Sequence, residues 1–388
     1  MSDAADTYDA SRIQVIEGLE AIRMRPGMYV GSTSRRGVHH MVFEALSEAV
    51  HEVLGRGAGS VDVTLTSDGG VRVADDGPGA SFGSAGGEAT PGLEARLTQV
   101  YAGWELEDGR RTVSPASFRV GLSTVNALSS RLIAEVRRDG AREIQEYARG
   151  VALAPPTPAG PAKGSGTVLE FWPDADIFET TDCSYDVLVE CFRAVAHLNR
   201  GLSLSLTDER PPGGAVTERF EGDVRDFVAF LETTAEGGPV HPDILDFEVE
   251  DPRMAGTVEV AFRWRDSQDA VVRSFANSGP TPEGGAHVKG FRAGLAAALT
   301  AYARGRSLLT AADPDLDTGR VGEGLTAVVS VKLDRVEFRG ATRTLLGGAE
   351  VRSCVEEAVR VHVGTWLERH PEQASAVVRR IVGGVGRA

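Results

Sequence analysis

Between residues 38 and 54 the apolar side chains fall at Val38, Met41, Val42, Ala45, Leu46, Ala49, Val50, Val53 and Leu54. This is the i, i+3, i+4, i+7 spacing of a helix with one buried face. Such a stripe has to be covered by a second layer of structure. The next residues supply one. Residues 60–67 alternate through Val61, Val63 and Leu65, and Gly69-Gly70 turns the chain into a second short apolar run at 71–74, which predicts two paired strands. The second strand runs into Asp75-Asp76-Gly77-Pro78-Gly79. The opposite stripe of the helix carries His40, Glu44, Ser47, Glu48 and His51. A helix laid on a sheet, with carboxylates on its other side, therefore constrains everything else.

The remaining chain reads as alternating helices and strands. Residues 12–30 open with a helical pattern (Ile13, Val15, Ile16, Leu19, Ile22) that Arg25-Pro26-Gly27 ends. Residues 80–118 are rich in Gly, Ser and acids, with little periodicity, the signature of a long loop or lid. Residues 122–132 read as helix, 133–137 as strand, 155–166 as a Pro/Gly loop, 166–172 as strand and 185–198 as helix. Pro211-Pro212-Gly213-Gly214 is the best linker signal, and the domain boundary is placed near Phe220. Beyond it, strands are expected at 256–265, 270–276 and 326–333, and helices at 290–302, 350–367 and 373–382. The 388 residues suit two domains.

Bulk properties exclude several classes. No apolar stretch of 18 residues occurs, so no membrane-spanning helix is expected. Residues 1–9 lack the basic start and apolar run of a signal peptide. Cys183, Cys191 and Cys354 are widely spaced, without a CxxC pair. Neither a disulfide framework nor a zinc site is expected, and a cytoplasmic location fits. The net charge of −15 argues against a generally basic nucleic-acid surface, leaving any DNA contact indirect or weak. Only Lys163, Lys289 and Lys332 are lysines among 41 cations, a bias toward arginine that we attribute to codon usage.

Taken singly, the chemical signals are modest. Glu44 and Glu48, one helical turn apart, share a face. They suit a general base, part of a metal site completed by His51, or an ordinary solvated surface, and composition alone favours the last. Asp75-Asp76-Gly77-Pro78-Gly79 at a strand end lets the backbone approach a ligand, but Asp-Gly is also a common turn. Gly164-x-Gly166-Thr167 opening a strand is equally unspecific.

Together these signals closely resemble the bacterial gyrase B protein and its relative, the topoisomerase IV B protein. The resemblance is carried by Tyr8-Asp-Ala-Ser-Arg-Ile, Glu17-Gly-Leu-Glu-Ala, Arg25-Pro-Gly-Met-Tyr-Val-Gly31 and Gly37-Val-His-His-Met-Val-Phe-Glu44. It continues through Asp75-Asp-Gly-x-Gly79, Val125-Asn-Ala-Leu-Ser129, Gly166-Thr-Val-Leu-Glu-Phe-Trp-Pro-Asp174 and Leu198-Asn-Arg-Gly201, then from Asn277 to Gly290 and through Glu323-Gly-Leu-Thr-Ala-Val-Val-Ser-Val331. It fades only in the last helix. The resemblance implies an α+β fold in three parts: an N-terminal arm over 1–15, a GHKL (Bergerat) ATPase sandwich over 16–220, and a transducer domain over 221–388 like the second domain of ribosomal protein S5. It implies ATP as ligand, Mg²⁺ as its counter-ion, and a homodimer in which Tyr8 of the arm closes the partner's pocket.

Carried over by position, Asp75 matches the acceptor of the adenine amino group. Gly77, Gly79 and Thr167 match residues lining that pocket, Arg138 matches its rim, and Glu44 matches the general base. The phosphate end departs from the family. Glu48 stands where the family has a metal-ligating asparagine. The lid, Gly-Gly-Leu-His-Gly-Val-Gly in the family, reads Pro115-Ala-Ser-Phe-Arg-Val-Gly121 here, so Gly121 is kept and three other glycines are lost. Pro115 has no N–H to offer a phosphate, while Arg119 supplies a cation. The transducer's Gln-Thr-Lys reads Ala341-Thr342-Arg343; Arg343 keeps the charge of the catalytic lysine in another shape. Pro78 replaces an arginine that would pair with Glu52, leaving Glu52 without that partner. No counterpart of the acidic TOPRIM site is expected within these 388 residues, and Asp313-Pro-Asp-Leu-Asp317 reads as a solvated loop.

These features favour a gyrase-B-like nucleotide-binding module with degenerate hydrolysis, acting as a nucleotide-gated dimer or as partner of a gyrase or topoisomerase subunit. The alternatives are an active ATPase half of a split type II topoisomerase, and a non-enzymatic decoy, inhibitor or drug-binding protein related to gyrase.

Overall fold

The computed structural model describes residues 18–55, 57, 59–83, 92–100, 120–219, 223–339 and 344–383. The arm with Tyr8, the lid positions 115–119, Phe220 and the segment Ala341-Thr342-Arg343 lie outside the described residues.

The chain enters through two short helices, α1 (Gly18–Met24) and α2 (Gly27–Val30), and then the long α3 (Arg35–Leu54). Pro26 separates the first two because a proline disfavours helix in the residue before it. The apolar stripe of α3 is fully buried from Val38 to Val53. It lies on a nine-stranded mixed sheet built from β1 (Gly59–Leu65), β2 (Val71–Asp75), β3 (Ser129–Arg138), β4 (Ala141–Ala148), β5 (Val151–Ala152), β6 (Thr157–Pro161), β7 (Gly166–Pro173), β8 (Leu202–Asp208) and β9 (Gly214–Arg219). The spatial order is β5-β4-β3-β7-β2-β1-β8-β9, with β6 beside β4. All pairings are antiparallel except β1 with β8, where Gly59 stands opposite Leu202. Val61, Val63 and Leu65 of β1, with Leu202, Leu204 and Leu206 of β8, face the helices and are buried. Alternate residues face the other way, where the Ser205 hydroxyl donates to Asp62.

Three further helices belong to this layer: α4 (Leu93–Thr98), α5 (Leu122–Ala127) and α6 (Tyr185–Leu198). Three sequence expectations change here. Residues 80–118 are not loop throughout, because Leu93 and Leu97 anchor α4 in the core. The helix from 122 ends at Ala127 rather than at 132, since Ser129 already pairs with Pro173 in β7. The Pro/Gly loop over 155–166 contains β6, an outer strand beside β4 that carries Pro158 and Pro161; sheet edges are where proline is tolerated.

The second part begins with α7 (Val224–Glu232) and a five-stranded sheet of β10 (Leu245–Asp251), β11 (Gly256–Trp264), β12 (Val271–Ala276), β13 (Gly279–Pro280) and β14 (Leu325–Leu333), ordered β10-β11-β14-β12-β13. A small hairpin of β15 (Phe338–Arg339) and β16 (Leu345–Leu346) follows. Helices α8 (Ala286–Gly305), α9 (Ala349–Arg369) and α10 (Pro371–Gly383) complete the described chain. Strand β14 is buried along almost its whole length, which is why it reads as a continuous apolar run. Ala327, Val329 and Val331 join the cluster under α8 and α9, while Val328 joins Phe227 and Val228 of α7 on the other face.

That smaller cluster also takes in Leu198, from the end of α6. His197 stacks on Phe227 at 4.6 Å, and Asn199 Nδ2 donates to Ser278 Oγ at 3.0 Å. These contacts join the two sheets. No helix among the described residues is long and apolar enough to cross a membrane.

Candidate functional site

The site forms where α3 crosses the ends of β2 and β7. Asp75 is the last residue of β2 and is 5% exposed. Its Oδ1 accepts two backbone N–H bonds, from Gly77 at 2.9 Å and from Thr167 at 3.2 Å. Burial pushes the Asp75 carboxyl up to about 6, against the pull of those two bonds. The glycines are steric requirements. A Cβ on Gly166 would lie 2.0 Å from the Asp75 carbonyl oxygen, and one on Gly79, at φ +79°, would lie 2.4 Å from the Arg137 carbonyl. The Thr167 hydroxyl accepts from Ala80 N at 3.2 Å, fixing the chain beyond the turn.

These groups line a narrow cleft together with Ala80, Glu48, Glu52 and Arg96, among others. Its floor is apolar (Ala49, Val73, Leu122, Leu169). An apolar lining with a buried acceptor beside it is the chemistry that receives a heteroaromatic ring bearing a donor.

Glu44, four residues before Glu48 on α3, is 5% exposed. Its Oε2 accepts from Gly121 N at 3.0 Å and from Val120 N at 3.3 Å, and His40 Nε2 lies 3.5 Å from Oε1. Gly121 caps α5 at φ +78°, a left-handed backbone conformation that glycine adopts without penalty. The buried carboxylate is thus oriented by backbone amides on one side and an imidazole on the other.

Sequence reasoning missed Arg96. This side chain of α4 is buried at 9% exposure, pairs with Glu48, and lies 3.3 Å from Glu52. Glu52 is therefore not left without a cation when position 78 is proline: Arg96 supplies one from a different element. A signal was present, because Leu93, Arg96, Leu97 and Val100 follow the i, i+3, i+4, i+7 pattern with an arginine on the inward face. Glu48 as a metal ligand does not fit this arrangement. A divalent ion needs several free oxygens, and Oε1 of Glu48 is already engaged by a guanidinium. His51 brings no metal site either: among the described residues no group of three His, Cys, Asp or Glu side chains could hold an ion.

Arg138 is half-exposed at the end of β3 and pairs with Asp139 at 3.4 Å. It does not line the pocket, although its Cβ lies 3.4 Å from where a Gly79 side chain would begin. Asp313 and Asp317 accept bonds from Thr310 N and Gly319 N within their own loop, as a solvated turn should.

Residues 223–384 match the DNA gyrase B family model. The DNA gyrase B protein of Streptomyces coelicolor is 42% identical over 395 residues, covering 97% of this chain and 57% of that protein. The novobiocin-sensitive DNA gyrase B protein of Streptomyces niveus is 39% identical over 402 residues, covering 98% and 59%. The chain thus spans under two thirds of the length of these curated relatives. Among solved structures, the 43K ATPase domain of Thermus thermophilus gyrase B, in complex with an aminocoumarin, superposes with a TM-score of 0.76 at 29% identity, over 94% of each chain. The topoisomerase IV ATP-binding domain of Francisella tularensis, in complex with a small-molecule inhibitor, gives 0.74 at 26% identity, over 95% of this chain and 97% of that one.

Proposed function

The chain belongs to the DNA gyrase B family, and on that premise we propose that it binds an adenine nucleotide and turns it over slowly or not at all. The observation that carries the first half is Asp75. Both of its backbone bonds converge on Oδ1, so Oδ2 is the oxygen available to an amino group in the pocket. Gly77 and Thr167 hold the carboxylate in place, Gly79 and Gly166 let the backbone close around it, and the apolar floor receives the ring.

Slow turnover is supported at the phosphate end. Hydrolysis depends chiefly on positioning and on stabilising charge over the γ-phosphate oxygens. Glu44 is buried and oriented, as a water-positioning base should be. The neighbouring Glu48 is tied to Arg96, however, and the residues present do not fit a Mg²⁺ site there. The altered lid sequence and Arg343 add to this reading on sequence grounds. Loss of one preorganised donor costs on the order of 10²–10³ in rate, and the losses need not add.

Calorimetric titration with ATP and ADP, beside a phosphate-release assay on the same sample, tests both halves. Binding without turnover is expected. No binding at millimolar nucleotide refutes the first half. Turnover faster than about one per minute that Glu44→Ala abolishes refutes the second, and returns the chain to the active-ATPase reading. We further propose a homodimer working with a gyrase or topoisomerase partner, a reading that the family resemblance supports. The N-terminal arm with Tyr8 is the proposed strap, so a chain starting at Gln14 should lose the dimer in light scattering.

A further inference from the structure

Glu48 and Glu52 lie one turn apart on α3, with side chains 15% and 18% exposed. Two carboxylates so placed repel each other, and their withdrawal from water requires a cation. The cation is Arg96. Its Nη1 meets Glu48 and lies 3.3 Å from Glu52, and its Nη2 lies 3.4 Å from Glu52. Leu93 and Leu97, at 1% and 0% exposure, pin α4 to the core on either side of it. The guanidinium is therefore held by the fold and not only by its charge. All three side chains line the same pocket as Asp75 and Thr167.

We propose that Arg96 is a built-in counter-cation, filling the place between Glu48 and Glu52 that would otherwise draw a divalent metal, so that the pocket takes its ligand without one. This rests on the nucleotide reading for the ligand but not for the cation. An arginine stays charged at every working pH and donates five N–H bonds in a fixed plane. A divalent ion demands an oxygen shell and exchanges its waters. For a metal to take Oε1 of Glu48, that oxygen must release Arg96, which gives up one of the two carboxylates that neutralise it in a largely buried site. The fold thus selects against the metal. A phosphate chain entering here meets a fixed monovalent cation rather than one it carries in.

Mn²⁺ alone, titrated into the full chain and read by electron paramagnetic resonance, tests the cation directly. Wild type should show no Glu48-dependent site tighter than about 1 mM. Arg96→Met should gain one site, which adding Glu48→Gln removes, while Arg96→Lys should remain without it. A Glu48-dependent site in wild type, or none in a folded Arg96→Met, overturns the proposal. If Arg96→Met does not fold, wild type and Arg96→Lys decide it by the same criterion. In a second arm, the ADP affinity of wild type should agree within about threefold between EDTA and millimolar Mg²⁺, and a tenfold gain with Mg²⁺ overturns the proposal. An absence of ADP binding in both conditions defeats the nucleotide reading instead, and leaves the Mn²⁺ arm to judge Arg96.

Discussion

Asp75 is held in a state its surroundings disfavour. Its carboxyl titrates at about 6 in the folded chain against an ordinary value of 3.8. Between those values the native state keeps a proton that the unfolded chain has released. Stability from this group is therefore fullest below about pH 4, falls as pH rises toward 6, and is level above it. The whole step is at most roughly 3 kcal/mol. Asp75→Asn should abolish that slope in denaturant titrations run from pH 4 to 7, and should leave the protein no less stable at pH 7. The same substitution should weaken nucleotide binding by about 10–100-fold, the worth of a charged acceptor in a buried hydrogen bond. Wild-type affinity should also be lower at pH 5 than at pH 7.5, because a protonated oxygen no longer accepts freely from an amino group. Equal affinities at the two pH values count against the assigned role. Glu44 offers a different test. Glu44→Gln keeps the shape of the side chain and one oxygen to accept from Gly121 N and Val120 N, but removes the negative charge that strengthens both bonds. Melting temperature should drop by a few degrees, on the order of 1–2 kcal/mol for hydrogen bonds that lose their charge.

Among the elements, the α8–α9 pair depends on close approach. A Cβ on Gly294 would lie 2.5 Å from the Glu356 carbonyl oxygen and 2.7 Å from Val359 Cβ, and one on Gly290 would lie 2.4 Å from the Arg352 carbonyl. Gly294→Ala should destabilise the second part by roughly 1–3 kcal/mol, since backbone and not a flexible side chain must give way. An unchanged urea midpoint would show that the helices can separate without penalty. What the sequence revealed follows the same logic of covering layers. Helix α3, strand β14 and helix α6 were legible because burial on one or both faces leaves a period in the apolar residues. Strand β6 was hidden because Pro158 and Pro161 mimic a loop, and its partners lie on β4, where no local pattern records the pairing. Helix α8 was read from Gly290 but begins at Ala286, where Gly285 at φ +141° fits tightly against Leu346. Arg96 escaped because its meaning lies in two glutamates more than forty residues earlier, on the far side of the pocket. The Asp75 end of the pocket was visible as motifs; the cation was visible only as geometry.

At the scale of the molecule, two cores meet through a third. The cluster of Leu198, Phe227, Val228, Phe275 and Val328 joins the first sheet's last helix to the second sheet. Phe227→Ala should cost about 3–5 kcal/mol, and should split one calorimetric transition into two if this cluster couples the halves; a single, merely lowered transition argues that they were never coupled through it. The β1–β8 pairing has a consequence of another kind. Strand β1 is held between β2 and β8, and β8 pairs with it from Leu202 to Asp208. Strand β7, which pairs with β2, begins only at Gly166. On a ribosome, the β2 side of the β1–β2 pair therefore stays open until β7 has emerged, and the β1 side until β8 has. Early strands with unpaired edges are the segments most prone to wrong partners, and closing such distant pairs is slow. Synthesis in a reconstituted translation system, stalled before and after residue 208, should give a protease-sensitive chain in the first case and a resistant one in the second. The birth of this protein is thus gated by its own length: one edge of the strand pair that carries Asp75 stays uncovered until the chain has travelled far beyond it.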